Sequence, residues 1–243
     1  MKAVILAAGY GKRLNPLTNR IPKVMLPLNN KPLLYYQINW LKKNGIKEIA
    51  INLHHLPSKI KDYLKKNDFG IKIKISYEKK ILGTSGGVKK LENFLKDSTF
   101  IVFYGDNITN LNINNLLKFH KKKKGIATIC LHEIDKKSIK EASVVELDKN
   151  SRILNFIEKP DLKEIDFSKK IYSNAGVYIM EPEVLDFIPK GRFSDFGMEI
   201  LPRLVSAGKA IFGYPLTGCY WREIGNIEKY SRAKKEITKF KYR

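Results

Sequence analysis

Two short segments hold residues that could handle a phosphate. Gly9-Tyr10-Gly11-Lys12-Arg13 directly follows the apolar run 3–8, and Gly105-Asp106 follows a second apolar run, 99–104. Glycine carries no Cβ, so the backbone N–H groups around Gly9 and Gly11 can approach an anion closely, with Arg13 at hand to add charge. The spacing matches neither common phosphate-loop pattern: the third glycine of GxGxxG falls on Leu14, and no GK[ST] follows. A glycine-rich turn is also an ordinary turn, and an Asp after a strand is an ordinary cap, so these residues need the elements around them to acquire meaning.

Those elements alternate. Residues 3–8, 48–53, 71–77 and 99–104 read as strands. Between them lie a helix opened by Pro32 as its first residue and stopped by Asn44-Gly45, a helix over 57–66 and another over 86–95. A βαβαβαβ series predicts a parallel sheet with crossover helices, whose ligand loops lie past the carboxyl ends of the strands. Both segments fall there. The second half changes character: 127–132, 143–148 and 152–157 read as strands, the last two joined by the polar turn Asp148-Lys149-Asn150-Ser151. Strands over 172–180 and 210–216, a helix within 194–207 and a basic helix over 227–240 complete the series, with mixed or antiparallel pairing expected. The class is α/β, a Rossmann-like mixed, mainly parallel sheet flanked by helices.

The chain has 243 residues, with 46 Lys+Arg against 24 Asp+Glu and a net charge of +22. Such a balance raises nucleic acid as a partner, but the excess is scattered lysine, and its densest run, Lys121 to Lys124, ends a helix just before Gly125 where cations meet the helix dipole favourably. Nucleic acid is therefore not the expected partner, and a polyanion-binding module would rest on net charge alone. No apolar run approaches the roughly 20 residues that a membrane-spanning helix needs, so no membrane role is expected. Cys130 and Cys219 are far apart without CxxC spacing, which fits neither a disulfide framework nor a zinc site and suits a reducing cytoplasm. Adjacent His54-His55 on a strand end face opposite ways, so they are read as structural rather than as a metal pair.

The stretch from Leu6 through Ala7, Ala8, Gly9, Gly11 and Arg13 to Thr18, followed by Pro22-Lys23, Leu26-Pro27 and Lys31-Pro32-Leu33, resembles the signature of the sugar-1-phosphate nucleotidyltransferases. That family includes glucose-1-phosphate thymidylyltransferases and mannose-1-phosphate guanylyltransferases. The resemblance continues in order at Leu82-Gly83-Thr84-Ser85-Gly86-Gly87, Gly105-Asp106, Glu158-Lys159-Pro160, Asn174-Ala175-Gly176-Val177-Tyr178 and Tyr220-Trp221-Arg222-Glu223-Ile224-Gly225. It implies a nucleotide-diphospho-sugar transferase fold in a single domain, 1–243, with a nucleotide-binding half over about 1–110 and a sugar-phosphate-binding half over about 111–243. It also implies an NTP and a sugar 1-phosphate as reactants, and Mg²⁺ as cofactor. Two anions must be brought together, so cations have to offset their repulsion.

Carried onto the matching positions, the resemblance gives Arg13 and Lys23 the triphosphate and the departing pyrophosphate, and Asp106 the Mg²⁺. Leu6, Ala7, Ala8, Gly9 and Gly11 would line the nucleotide, and Gly83, Thr84 and Gly86 would read its base. Lys159 would grip the sugar phosphate, with Glu158, Asn174 and Gly176 on the sugar. Glu223 stands where the family usually has Asp, so a second metal carboxylate would reach one methylene further, and Asn226 replaces a common Thr. The Gly-Thr-Ser-Gly loop is closer to guanylyl-type than to thymidylyl-type enzymes, which puts GTP with mannose 1-phosphate first. Thymidylyl or uridylyl transfer to glucose 1-phosphate or a cell-wall sugar 1-phosphate stays open, as does a non-catalytic nucleotide-binding regulator. The resemblance is to the short form, for which the C-terminal β-helix of many relatives is not expected; a homo-oligomer is left open.

Overall fold

The structure is a computed structural model that describes residues 1–135, 139, 142–161, 165 and 170–237. The chain divides into two compact units, the first made of Met1–Ile81, Phe103–Leu111 and Cys219–Arg243, the second of Leu82–Val102 and Asn112–Gly218.

The first unit opens with β1 (Lys2–Leu6), a hairpin of β2 (Pro27–Leu28) and β3 (Lys31–Pro32), α1 (Leu33–Lys43), β4 (Glu48–Leu53), α2 (Pro57–Lys66) and β5 (Lys72–Tyr77). β1 pairs with β4 and β4 with β5, all parallel, in the register Ile5↔Ile51↔Ile75. Ala3, Val4, Ile5, Ile49, Ala50 and Ile51 are fully buried, the near-continuous apolar run of strands covered on both faces. Pro32 lies just before α1 with an extended ψ of 153° and belongs to the hairpin, one residue earlier than expected. At the other end Gly45, at φ 82°, donates to the carbonyl of Lys42 and ends the helix as its sequence indicates.

The chain then supplies the second unit with α3 (Gly83–Lys89), α4 (Glu92–Leu95) and most of β6 (Phe100–Tyr104) before β7 (Asn107–Thr109). The single helix expected over 86–95 is thus two, and it starts earlier. Gly86 is inside α3 because the carbonyl of Arg192 passes 2.8 Å from where its Cβ would be, a packing requirement rather than a helix start. The second unit continues through α5 (Ile113–Lys123), β8 (Ala127–Glu133), β9 (Ser143–Leu147), β10 (Ile153–Glu158), β11 (Tyr172–Met180), a π-helical turn (Phe196–Ile200) running into α6 (Leu201–Ser206), and β12 (Ile211–Pro215). Its pairing is mixed, as expected: β10 with β9 and β11 with β8 are antiparallel, and β12 with β8 is parallel.

The first unit is completed by β13 (Trp221–Glu223), antiparallel to β7, and α7 (Ile227–Ile237); the expected end of that helix at 238–240 lies outside the described residues. Leu14, Leu26, Leu28, Leu33, Ile108, Ile224 and Tyr230 form one buried cluster, which ties the loop after β1, the hairpin, β7, β13 and α7 into a single packed body. Gln37 and Trp40 of α1 donate to the carbonyls of Asn107 and Leu111 at 2.8 Å, fixing β7 from the other side. Strands of two or three residues such as β2, β3, β7 and β13 are too short to show a period of two, and the sequence reading does not contain them.

Candidate active site

The loop after β1 is held by side chains the sequence reading did not assign to it. Gly11 sits at φ 67°, and a Cβ there would meet Thr18 Cγ2 at 2.9 Å; the Thr18 hydroxyl donates to the Gly11 carbonyl at 2.9 Å. His54 Nδ1 donates to the carbonyl of Glu78, and its Nε2 meets the Tyr10 hydroxyl at 2.8 Å; His55 Nε2 donates to the carbonyl of Thr18 at 2.9 Å. The two histidines therefore fasten the loop; they follow β4 rather than ending it, and instead of facing opposite ways both come within 5.3 and 5.5 Å of the Tyr10 ring. Asn52 closes the strand end: its side-chain oxygen accepts the Ala7 N–H at 2.7 Å, and its amide donates to the buried carboxylate of Glu78 at 2.8 Å. A polar residue ending an apolar strand was the one signal that could have pointed to Asn52.

Asp106 follows β6 through Gly105, whose missing Cβ would otherwise lie 2.3 Å from the carbonyl of Leu6; the Gly105 N–H donates to that same carbonyl at 2.9 Å. Glycine is needed there so that the two strand ends can touch. Lys23 begins a 3₁₀ turn (Lys23–Met25), and its ammonium donates to Asp106 Oδ2 at 2.6 Å, with the two side chains only 16% and 22% exposed. Burial pushes the Asp106 carboxyl up, but the charge and hydrogen bond of Lys23, with Arg13 beyond, outweigh it and hold the group below the usual carboxylate range. Asp106 is ionised at neutral pH. Arg13, mostly exposed, reaches 3.7 Å from Glu223 Oε1, so the first unit brings together four of the residues singled out from the sequence: Arg13, Lys23, Asp106 and Glu223.

Backbone pairing explains that gathering. Glu223 stands opposite Asn107 in the β13–β7 ladder, and the Ile224 N–H donates to the carbonyl of Asp106 at 2.9 Å. The Glu223 carboxylate folds over Gly225, where a Cβ would lie 1.8 Å from its Oε1, and receives Lys229 Nζ at 2.7 Å. A few residues on, Glu236 of α7 takes a two-point contact from Arg222 at 2.8 and 2.9 Å and a hydrogen bond from Tyr220 at 3.0 Å; burial and the neighbouring carboxylate push the Tyr220 phenol up to about 12. β13 is thereby fastened to α7.

As a metal site this donor set is two carboxylates. Among the described residues no group of three or more His, Cys, Asp and Glu side chains forms a metal cluster. Carboxylate oxygens are the donors that a hard ion such as Mg²⁺ takes, with water and phosphate oxygens filling the rest of its shell.

The remaining residues belong to the second unit. Glu158, half-buried at the end of β10, rests over Gly197, where a Cβ would lie 2.7 Å from its Oε2. Burial and then the charge of Asp195 push its carboxyl up, against the pull of Lys159. Lys159 takes a left-handed φ of 51°, and its N–H donates to the carbonyl of Ala142. Asn174 donates to the Tyr178 hydroxyl at 2.6 Å and accepts the Gly176 N–H at 2.8 Å, across an irregularity in β11 that Gly176 permits with φ 66°. The Thr84 hydroxyl donates to Asp195 and accepts the Phe196 N–H, while Ser85 and Gly86 N–H groups share the Ser194 carbonyl. Gly83 is packed so tightly that a Cβ would lie 2.2 Å from that carbonyl oxygen. The glycines of this segment thus have a packing reason that the sequence alone does not reveal.

Among proteins of known assignment, a UTP–glucose-1-phosphate uridylyltransferase of Synechocystis sp. is 37% identical over 245 residues, covering 96% of this chain and 62% of that protein. A probable mannose-1-phosphate guanylyltransferase of Oryza sativa is 35% identical over 235 residues, covering 95% of this chain and 63% of the relative. The chain thus spans less than two thirds of the length of these relatives. Crystallised HddC from Yersinia pseudotuberculosis superposes with a TM-score of 0.81 at 26% identity over 97% of this chain and 99% of that one; the same protein complexed with GMP-PN gives 0.80 at 25%. The family description for nucleotidyl transferases matches residues 2–239, and the chain belongs to that family.

Proposed function

We propose that the protein catalyses attack of a sugar 1-phosphate oxygen on the α-phosphorus of a nucleoside triphosphate, forming the new P–O bond as the bond to the β-phosphate breaks and pyrophosphate leaves. The observation that carries this reading is the Lys23–Asp106 pair at 2.6 Å beside Arg13, a partly buried arrangement of cations around one ionised carboxylate. Arg13 and Lys23 offset the charge of the triphosphate and of the leaving pyrophosphate, Lys23 from a largely buried position where little water competes and Arg13 from the exposed side. The loop after β1, fastened by Asn52 at the Ala7 N–H and by His54 and His55, would offer the backbone N–H groups of Ala8 to Gly11 to the nucleotide. Asp106 and Glu223 would hold Mg²⁺, which supplies charge at the phosphate oxygens and aligns the α-phosphate for displacement. In the second unit Lys159 takes the sugar phosphate, and Glu158, Asn174 and Gly176 take the sugar. No side-chain nucleophile is required.

GTP with mannose 1-phosphate is the first pair, on the Gly83–Gly86 loop and the guanylyltransferase relatives; UTP with glucose 1-phosphate is the second, on the Synechocystis relative. A panel of NTPs against sugar 1-phosphates, assayed for pyrophosphate with Mg²⁺ present, decides between them. Tight nucleotide binding with no pyrophosphate from any pair would instead indicate a nucleotide-binding regulator.

A further inference from the structure

We propose that Lys229 is a positioning residue that keeps Glu223 neutralised in the resting protein, so that the divalent ion enters only together with a polyphosphate. The inference rests on the proposed nucleotidyl transfer for its purpose, but its geometry stands on its own. Lys229 Nζ lies 2.7 Å from Glu223 Oε2, and Arg13 Nη2 lies 3.7 Å from Glu223 Oε1, so each carboxylate oxygen faces a cation. Gly225 makes this possible by leaving empty the space that the carboxylate occupies.

Lys229 is also held where a lysine has reason to pair. Asn226 caps α7, its side-chain oxygen accepting the Lys229 N–H at 2.9 Å and its carbonyl accepting the Tyr230 N–H at 2.9 Å. The cap puts Lys229 in the first turn of the helix, whose dipole disfavours a cation. A carboxylate in contact relieves that conflict, and Glu223 supplies it. A bare divalent ion must displace this ammonium to use Glu223.

Charge counting points the same way. Around the site stand Arg13, Lys23 and Lys229 against Asp106 and Glu223, with Asp106 likewise engaged by Lys23 at 2.6 Å. Three cations against two carboxylates leave a net positive cluster, which repels a free dication and attracts a metal–polyphosphate complex, whose net charge is negative. On arrival the phosphate oxygens give the ammonium groups new partners and leave the carboxylates to the metal.

The test is an electron paramagnetic resonance titration of the whole chain with Mn²⁺, reading the signal of unbound ion, with and without inorganic tripolyphosphate. Wild type should hold Mn²⁺ weakly alone and more tightly with tripolyphosphate. Lys229→Ala should bind Mn²⁺ alone at least about fivefold more tightly, because the ammonium that repels the dication is gone. Lys229→Arg should stay at the wild-type value, and Glu223→Gln added to Lys229→Ala should abolish the gain. If circular dichroism shows that Lys229→Ala loses α7, Lys229→Met keeps the side-chain stem and takes its place. An affinity within twofold of wild type in the neutral variant, or a gain that survives Glu223→Gln, overturns the proposal. Inactivity on every nucleotide and sugar phosphate would defeat the proposed function while leaving the Mn²⁺ result intact.

Discussion

Glu223 in the first unit and Glu158 in the second are built alike and charged differently. Each carboxylate lies over a glycine, Gly225 or Gly197, whose missing Cβ makes the room. Glu223 then meets Lys229 and Arg13, whereas Glu158 is half-buried near Asp195, and its carboxyl is pushed up by burial and by that like charge despite Lys159. The same residue type is thus held in two electrostatic states. Under the proposed function, the ion-paired carboxylate would exchange its partners for a stronger cation, and the reluctant one would gain from neutral hydrogen-bonding partners such as sugar hydroxyls.

The sharpest way to break this contrast is to remove the charges of the first unit. Lys23→Ala and Asp106→Asn should each lower pyrophosphate release about 10²–10³-fold, the scale of losing one electrostatic contact to a transition state, whereas Glu158→Gln should act mainly by raising KM for the sugar phosphate about tenfold. Steady-state kinetics with both substrates varied distinguish the two, and equal kcat losses in all three variants would erase the distinction.

Next in size are the glycines. Gly83→Ala meets a backbone carbonyl at 2.2 Å and starts from φ 77°, so urea unfolding should show a loss of about 2–3 kcal/mol. Gly225→Ala meets the ends of two flexible side chains, Glu223 and, at 3.1 Å, Arg13, both of which can swing aside; it should cost about 1 kcal/mol or less while releasing Glu223 from Lys229. A large stability loss at Gly225 would mean that the carboxylate is held more rigidly than its contacts indicate.

Smallest is a difference in sign with pH. Asp106 is held low by its partners, so its contribution is present above the ordinary carboxylate range and fades as pH falls through its folded value. Asp106→Asn should therefore be less stable than wild type at neutral pH, and the gap should narrow on acidification. Glu158 is held high, so its contribution is present in acid and lost as pH rises through its folded value; Glu158→Gln should gain relative to wild type toward neutral pH. Thermal melts across pH 3–8, on the order of that range, would refute the contrast if both gaps moved in the same direction.

Much of this was legible in advance. β4, α2 and β11 begin and end where their apolar pattern, Pro57 and the flanking breakers place them, because strand and helix periods are local properties. The glycine-rich loop after β1 and the Gly105-Asp106 turn were visible for the same reason, as glycines and an acid next to apolar strands. Asn52, Glu78 and Lys229 were not. A buried Asn–Glu hydrogen bond and a helix-start lysine look like any other polar residues until the strands are laid side by side.

From its own letters the chain determined its alternating elements, the order of its site segments and the residue types available to handle phosphate, since these follow from neighbours a few positions away. Only the tertiary structure decided which of 46 basic residues and which hydroxyls would stand against which acid: Lys23 and Asp106 are 83 positions apart, and the Thr84 hydroxyl reaches Asp195 across 111. Coulombic and hydrogen-bond energies depend on distance in space, and no local pattern carries that distance.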